Sequence, residues 1–192
     1  MMNRVLWLLP LLLLAACGSQ AGAPPLAGAK LGGPFALTGE DGKIVRDSDF
    51  KGRYRLVYFG YTFCPDVCPV DVQKLMLGLK AFEKADPARA AKIQPLFITV
   101  DPARDTPAVL RQFTDAFHPR LIGLTGTPAE IAAVAKEYGV YFEKAPGPSP
   151  DAYLVNHTRS TTLFGPDGGP MTLIPEQGSP DEIARALGRW VR

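Results

Sequence analysis

Histidine is nearly absent from this 192-residue chain: there are two, beside three cysteines. A structural zinc site usually needs a second cysteine pair to complete four ligands, and there is none. The chain is long enough to fold without disulfide staples. No basic excess exists either. Lysine and arginine number 21 against 19 acidic residues, a formal charge of +2, and no charged tail points to nucleic acid. There is no internal repeat. Two Asn and five Gln stand beside 19 Pro, a composition that spares thermolabile residues.

What is present is a cysteine pair in a telling place. Cys64 and Cys68 lie in Tyr61-Thr-Phe-Cys-Pro-Asp-Val-Cys-Pro-Val70. An apolar, strand-like segment, Arg55–Gly60, precedes the run. After it Val72, Leu75, Met76, Leu79 and Phe82 recur at helical spacing. Extended upstream, this stripe passes through Cys68 and Cys64, so a helical turn sets both sulfurs on one face. There they can share a metal ion or a disulfide. A helix N-terminus favours thiolate over thiol, and Pro65 and Pro69 suit a first turn. A purely structural disulfide across three residues would close a very short loop and constrain the unfolded chain little. Strand, cysteine pair, helix is the layout of a reactive thiol site.

The third cysteine speaks to location. One positive charge, Arg4, precedes the apolar run Val5–Ala16, which has the form of a secretory signal and is too short to span a bilayer. Leu14-Ala15-Ala16-Cys17 resembles a bacterial lipobox, so Cys17 is expected to carry lipid and hold the domain on the outer face of the cell membrane. On this reading residues 1–16 are a signal peptide and 17–34, small and Pro/Gly-rich, a flexible tether. Residues 35–192 are then one domain.

Element order follows from periodicity and turn residues. A hairpin is predicted around Asp41-Gly42, with strands at 35–38 and 44–45. Further strands are predicted at 56–60, 96–100, 121–124 and 141–143, with helices at 69–84, 106–117, 128–138 and 180–192. A Pro-rich loop is expected over 145–151 and a second hairpin over 161–174. Strands alternating with helices and closing on a hairpin imply an α/β sandwich with a mixed sheet. A cysteine pair between the first core strand and its helix is the thioredoxin-like position.

At this point a resemblance is plain. The chain is similar to the Sco/SenC family of thioredoxin-like copper proteins from about Phe35 to Arg192. It rests on Tyr58-Phe-Gly-Tyr-Thr-Phe-Cys64-Pro-Asp-Val-Cys68-Pro, Asp101-Pro-Ala-Arg104-Asp-Thr-Pro, Gly123-Leu-Thr-Gly and Tyr153-Leu-Val-Asn-His157-Thr. The resemblance implies three copper ligands, Cys64, Cys68 and His157. Two soft thiolates with one imidazole suit Cu(I) and can also hold Cu(II). It also implies a role in assembling the copper A centre of cytochrome c oxidase, with subunit II as partner. A copper donor and a thiol reductant would act beside it outside the cytoplasm.

His118 matches no family position and is taken as structural. No proline stands just before the strand after His157, where thioredoxins carry a cis-proline, which favours metal binding over ordinary disulfide exchange. Asn156 replaces the acidic residue common before the family histidine, so an amide or a backbone carbonyl would have to orient the imidazole. Asp66 is expected to cap the helix, with outer ligation as the lesser role. Asp101 and Arg104 are read as a structural ion pair or a partner surface. Two functions stay open: a copper metallochaperone, and a thiol–disulfide oxidoreductase that keeps the copper A cysteines reduced. Both use Cys64 and Cys68 and only the first needs His157. A peroxidase is disfavoured, since no separate peroxidatic cysteine can be identified.

Overall fold

The computed structural model describes residues 22–147, 149 and 152–192. The expected signal peptide and Cys17 lie outside the described residues.

Two strands form the spine. In β3 (Tyr54–Gly60) and β4 (Ile93–Thr99) every residue is buried. They pair in parallel from Tyr54↔Ile93 to Gly60↔Thr99, and their near-continuous apolar sequences suit strands covered on both faces. With β1 (Ala36–Gly39), β2 (Ile44–Arg46), β5 (Ile122–Thr125), β8 (Thr161–Phe164) and β9 (Pro170–Ile174) they build a seven-stranded sheet ordered β2-β1-β5-β4-β3-β8-β9. β5 runs parallel to β4, whereas β8 is antiparallel to β3 and β9 antiparallel to β8. The quartet β4-β3-β8-β9, with a helix crossing between β3 and β4 and another after β9, is the thioredoxin-like arrangement anticipated from sequence. The N-terminal hairpin turns at Gly42, whose φ is 80°, and extends the far edge by pairing Thr38 with Thr125.

The helices are α1 (Val67–Ala85), α2 (Pro87–Ala90), α3 (Pro107–Asp115), α4 (Pro128–Glu137) and α5 (Pro180–Trp190). Thr106, Thr127 and Ser179 each cap a helix whose first residue is proline, which costs nothing where the N–H has no partner. α5 lies on α1 at Gly78. A Cβ there would come within 2.3 Å of Ile183 Cγ2, so only glycine admits the contact. The cysteines and the β4–α3 loop share the end of the sheet where the parallel strands finish, which is where α/β folds place their sites.

Four features depart from the sequence expectation. β3 starts two residues early, at Tyr54, taking Arg55 into the interior. Arg55 donates to Tyr138 Oη and Gly168 O and stacks on Phe164. β4 starts three residues early and runs through Pro95, which reads as a breaker; the β4–β5 register begins only at Leu96, so Pro95 has a paired strand on one flank. A 3-10 turn over Asp47–Phe50 and the short α2 lack the length for a periodic signal. The fourth is functional. The segment before His157 is a strand, β7 (Leu154–His157), pairing with β6 (Phe142–Ala145) in a separate two-stranded ribbon.

The stretch expected as tether is partly docked. Leu26 N–H donates to Met171 O and Gly32 N–H to Glu137 O, while Leu31 packs against the core. Among the described residues no helix is long and apolar enough to cross a membrane.

Candidate metal centre

Cys64 lies one turn ahead of α1 and Cys68 in its first turn. Asp66 occupies the N-cap position, but its side chain makes no capping bond. That corrects the sequence reading: Cys64 does the work instead. Its sulfur accepts the backbone N–H of Cys68 at 3.4 Å. This is an orphan helix donor, met by sulfur rather than oxygen. The contact with the Cys68 side chain, with backbone N–H groups of Cys68, Asp66 and Val67, pulls the Cys64 thiol down to about 5, against the opposing effect of burial. Cys68 is fully buried, and the Cys64 sulfur beside it and its burial both push its thiol upward. Cys64 is thus a thiolate at neutral pH and Cys68 a thiol.

His157 ends β7 and brings its imidazole onto Cys68. Nε2 lies 3.3 Å from the Cys68 sulfur, and Nδ1 lies 3.0 Å from the carbonyl of Thr158. A carbonyl can only accept, so Nδ1 carries the proton and the Nε2 lone pair faces the sulfur. The orienting group is a backbone carbonyl, which answers the question posed by Asn156. Tyr58 and Tyr61 meet the ring edge-on, with centroids at 6.4 and 6.1 Å. An open cleft of about 410 Å³ runs past Cys64 and His157, lined also by Tyr61, Pro65, Leu154 and Arg159.

Two buried carboxylates fix this arrangement. Asp71, one turn beyond Cys68 on α1, is fully buried and accepts from Nε and Nη2 of Arg159, two residues after His157; the Tyr58 hydroxyl also donates to it. Asp105 holds the other side. It accepts the N–H and hydroxyl of Thr62 and the hydroxyl of Thr99, and burial raises its carboxyl. Sequence reading missed both. Asp71 left a signal, being an acidic residue beside the apolar stripe of α1; Asp105 left none beyond its place in the Asp101–Pro107 segment.

Asp101 and Arg104 form an ion pair, joined by the Tyr153 hydroxyl. His118 is buried away from the thiols, against Glu83 and the Arg120 N–H, a structural role as read. Among the described residues there is no cis peptide bond. Nor, among them, do any three His, Cys, Asp or Glu side chains already converge closely enough to hold a metal. Cys68 and His157 are in contact, and the Cys64 sulfur lies against the amide and side chain of Cys68. The donor chemistry, two sulfurs and one free imidazole nitrogen, fits a soft monovalent ion.

Comparison with known proteins finds relatives of this chain and of its fold. Protein SenC of Rhodobacter capsulatus is 40% identical over 174 residues, covering 91% of this chain and 75% of that protein. The human mitochondrial SCO1 homolog is 37% identical over 162 residues, covering 84% of this chain but only 53% of its own. The copper-bound structure of Bradyrhizobium japonicum ScoI matches with a TM-score of 0.76 at 42% identity, over 84% of this chain and 99% of that one. BsSco, described as having a disulfide switch and as a member of the Sco family of cytochrome c oxidase assembly proteins, matches with a TM-score of 0.64 at 27% identity, over 86% and 94%. The SCO1/SenC family profile matches residues 23–192, and the chain belongs to that family.

Proposed function

We propose that this protein is a copper metallochaperone acting outside the cytoplasm. It holds one copper ion on Cys64 Sγ, Cys68 Sγ and His157 Nε2 and delivers it to the copper A site of cytochrome c oxidase subunit II. The observation that carries this reading is the Nε2–Sγ contact between His157 and Cys68, residues 89 apart in sequence. An imidazole lone pair aimed at the buried sulfur completes a donor set of two thiolates and one nitrogen, which suits Cu(I). Copper is cargo here. Cys64 offers a ready thiolate, Cys68 surrenders its proton on binding, and His157 binds neutral. The open cleft lets a partner's ligands reach the ion, so transfer proceeds by ligand exchange. A copper donor loads the protein, and a thiol reductant keeps the pair reduced in an oxidising space. Lipid on Cys17 would confine the domain to the membrane surface where subunit II projects.

A second reading draws on the asymmetry of the two thiols. A Cys64 thiolate near pKa 5 is suited to attack a partner disulfide. The mixed disulfide is then resolved by Cys68, leaving the partner with two thiols and this chain with one disulfide. Mixing copper-loaded protein with apo subunit II domain separates the two. Growth of the copper A absorption with no added copper supports delivery. Copper that stays in place, while the apo dithiol form reduces the partner's disulfide, supports reduction.

A further inference from the structure

We infer that Asp101, Arg104 and Tyr153 together position His157, by clamping the β6–β7 ribbon to the body of the fold. The ribbon needs such a clamp. Among the described residues its only ladder is internal, so no backbone pairing to the main sheet fixes where its last residue, His157, lies relative to Cys68. A lone two-stranded hairpin is marginal in water.

Side chains supply what the ladder does not. Tyr153, the residue before β7, donates its hydroxyl to Asp101 Oδ1 at 2.6 Å, and Asp101 is 1% exposed. Arg104 donates from Nε to the other oxygen of Asp101 and lays its guanidinium on the Tyr153 ring, 3.7 Å from the centroid. The same guanidinium lies 4.9 Å from the Phe63 ring and 5.7 Å from that of Tyr61, the aromatics just ahead of Cys64. One cation therefore bridges the segment that leads into the cysteines and the segment that leads into His157. Its Nη2 is buried without a hydrogen-bond partner among the described residues, so stacking on the rings is what engages that arm. Tyr61 adds a direct tie, its hydroxyl accepting the Val155 N–H at 3.3 Å. These three residues touch neither sulfur nor imidazole. They act through the ribbon.

The consequence for copper rests on His157 being a ligand, whereas its place beside Cys68 can be read without metal. The chain has two histidines, so the imidazole region of a proton spectrum is simple. His118, packed on Glu83, serves as internal reference. The test records both signals for the reduced, copper-free full chain in detergent, with Tyr153→Ala, Tyr153→Phe and Arg104→Lys as variants. Cu(I) affinity is then measured by chelator competition. We expect the His157 signal to leave the position set by Tyr58 and Tyr61 while that of His118 stays, and the Cu(I) affinity of the Tyr153 variants to fall about tenfold, as for loss of one charge-assisted bond. An unmoved His157 signal in a folded Tyr153 variant overturns the inference, as does an equal shift of both histidines, which would mean general loosening. A displaced His157 with unchanged copper affinity upholds the clamp and removes His157 from the ligand set. If Tyr153→Ala does not fold, Tyr153→Phe carries the comparison alone, since it deletes one oxygen and keeps the ring.

Discussion

Asp71 and Arg159 form a bidentate ion pair that joins the helix carrying Cys68 to the segment just past His157. The acid is fully buried and the guanidinium about a third exposed. Removing the arginine strands a carboxylate in the core, whereas neutralising the acid leaves an arginine that can turn to solvent. Arg159→Ala should therefore lower stability by about 3 kcal/mol, and Asp71→Asn by clearly less. Urea midpoints of the two variants check the order. Equal losses would mean the pair is not felt as a buried charge.

Replacing His157 with alanine should leave the fold intact and weaken copper binding by roughly 2–5 kcal/mol, the range for losing one partner of a buried, charge-assisted contact. Chelator competition measures it. A variant that holds copper as tightly as the parent would remove His157 from the site.

Cys64 should react with iodoacetamide along a pH profile with its midpoint near 5, because the alkylated species is the thiolate. The pKa is lowered, so reactivity is full at neutral pH and fails as acid is added. Cys68, shifted the other way, should stay inert through neutrality. A Cys64 midpoint at the ordinary thiol value of about 8.5 contradicts the helix-terminal assignment.

Mild oxidation should link Cys64 to Cys68, with loss of a hydrogen pair by mass and loss of copper, since a disulfide offers no thiolate. Copper retained by the oxidised form would show that other groups hold it.

Changing Cys17 to serine should move the protein from the membrane fraction to the soluble one if that residue carries lipid. Continued membrane association would assign the anchoring to the apolar run before it.

The spine of this fold was legible because buried parallel strands write themselves as unbroken apolar runs, as 56–60 and 96–100 do. The cysteine pair was equally open to reading, since its spacing and the stripe after it sit in one short stretch. His157 could be named through family resemblance, but its strand could not: β7 is four residues long and pairs only with β6, leaving no period to detect. Nor could spacing alone show Asp71 and Arg159 meeting across 88 positions, or a cysteine standing in for the aspartate at the helix cap. Such contacts belong to tertiary geometry.

The bond from the Cys68 amide to the Cys64 sulfur gives that sulfur two employments that compete. A thiolate accepts that N–H most strongly while it keeps its full charge, and a metal or an oxidant draws that charge away. Cargo and secondary structure are thereby linked at one atom. Amide exchange at Cys68 should quicken on loading and slow on release, so that the end of α1 itself reports whether the protein carries copper.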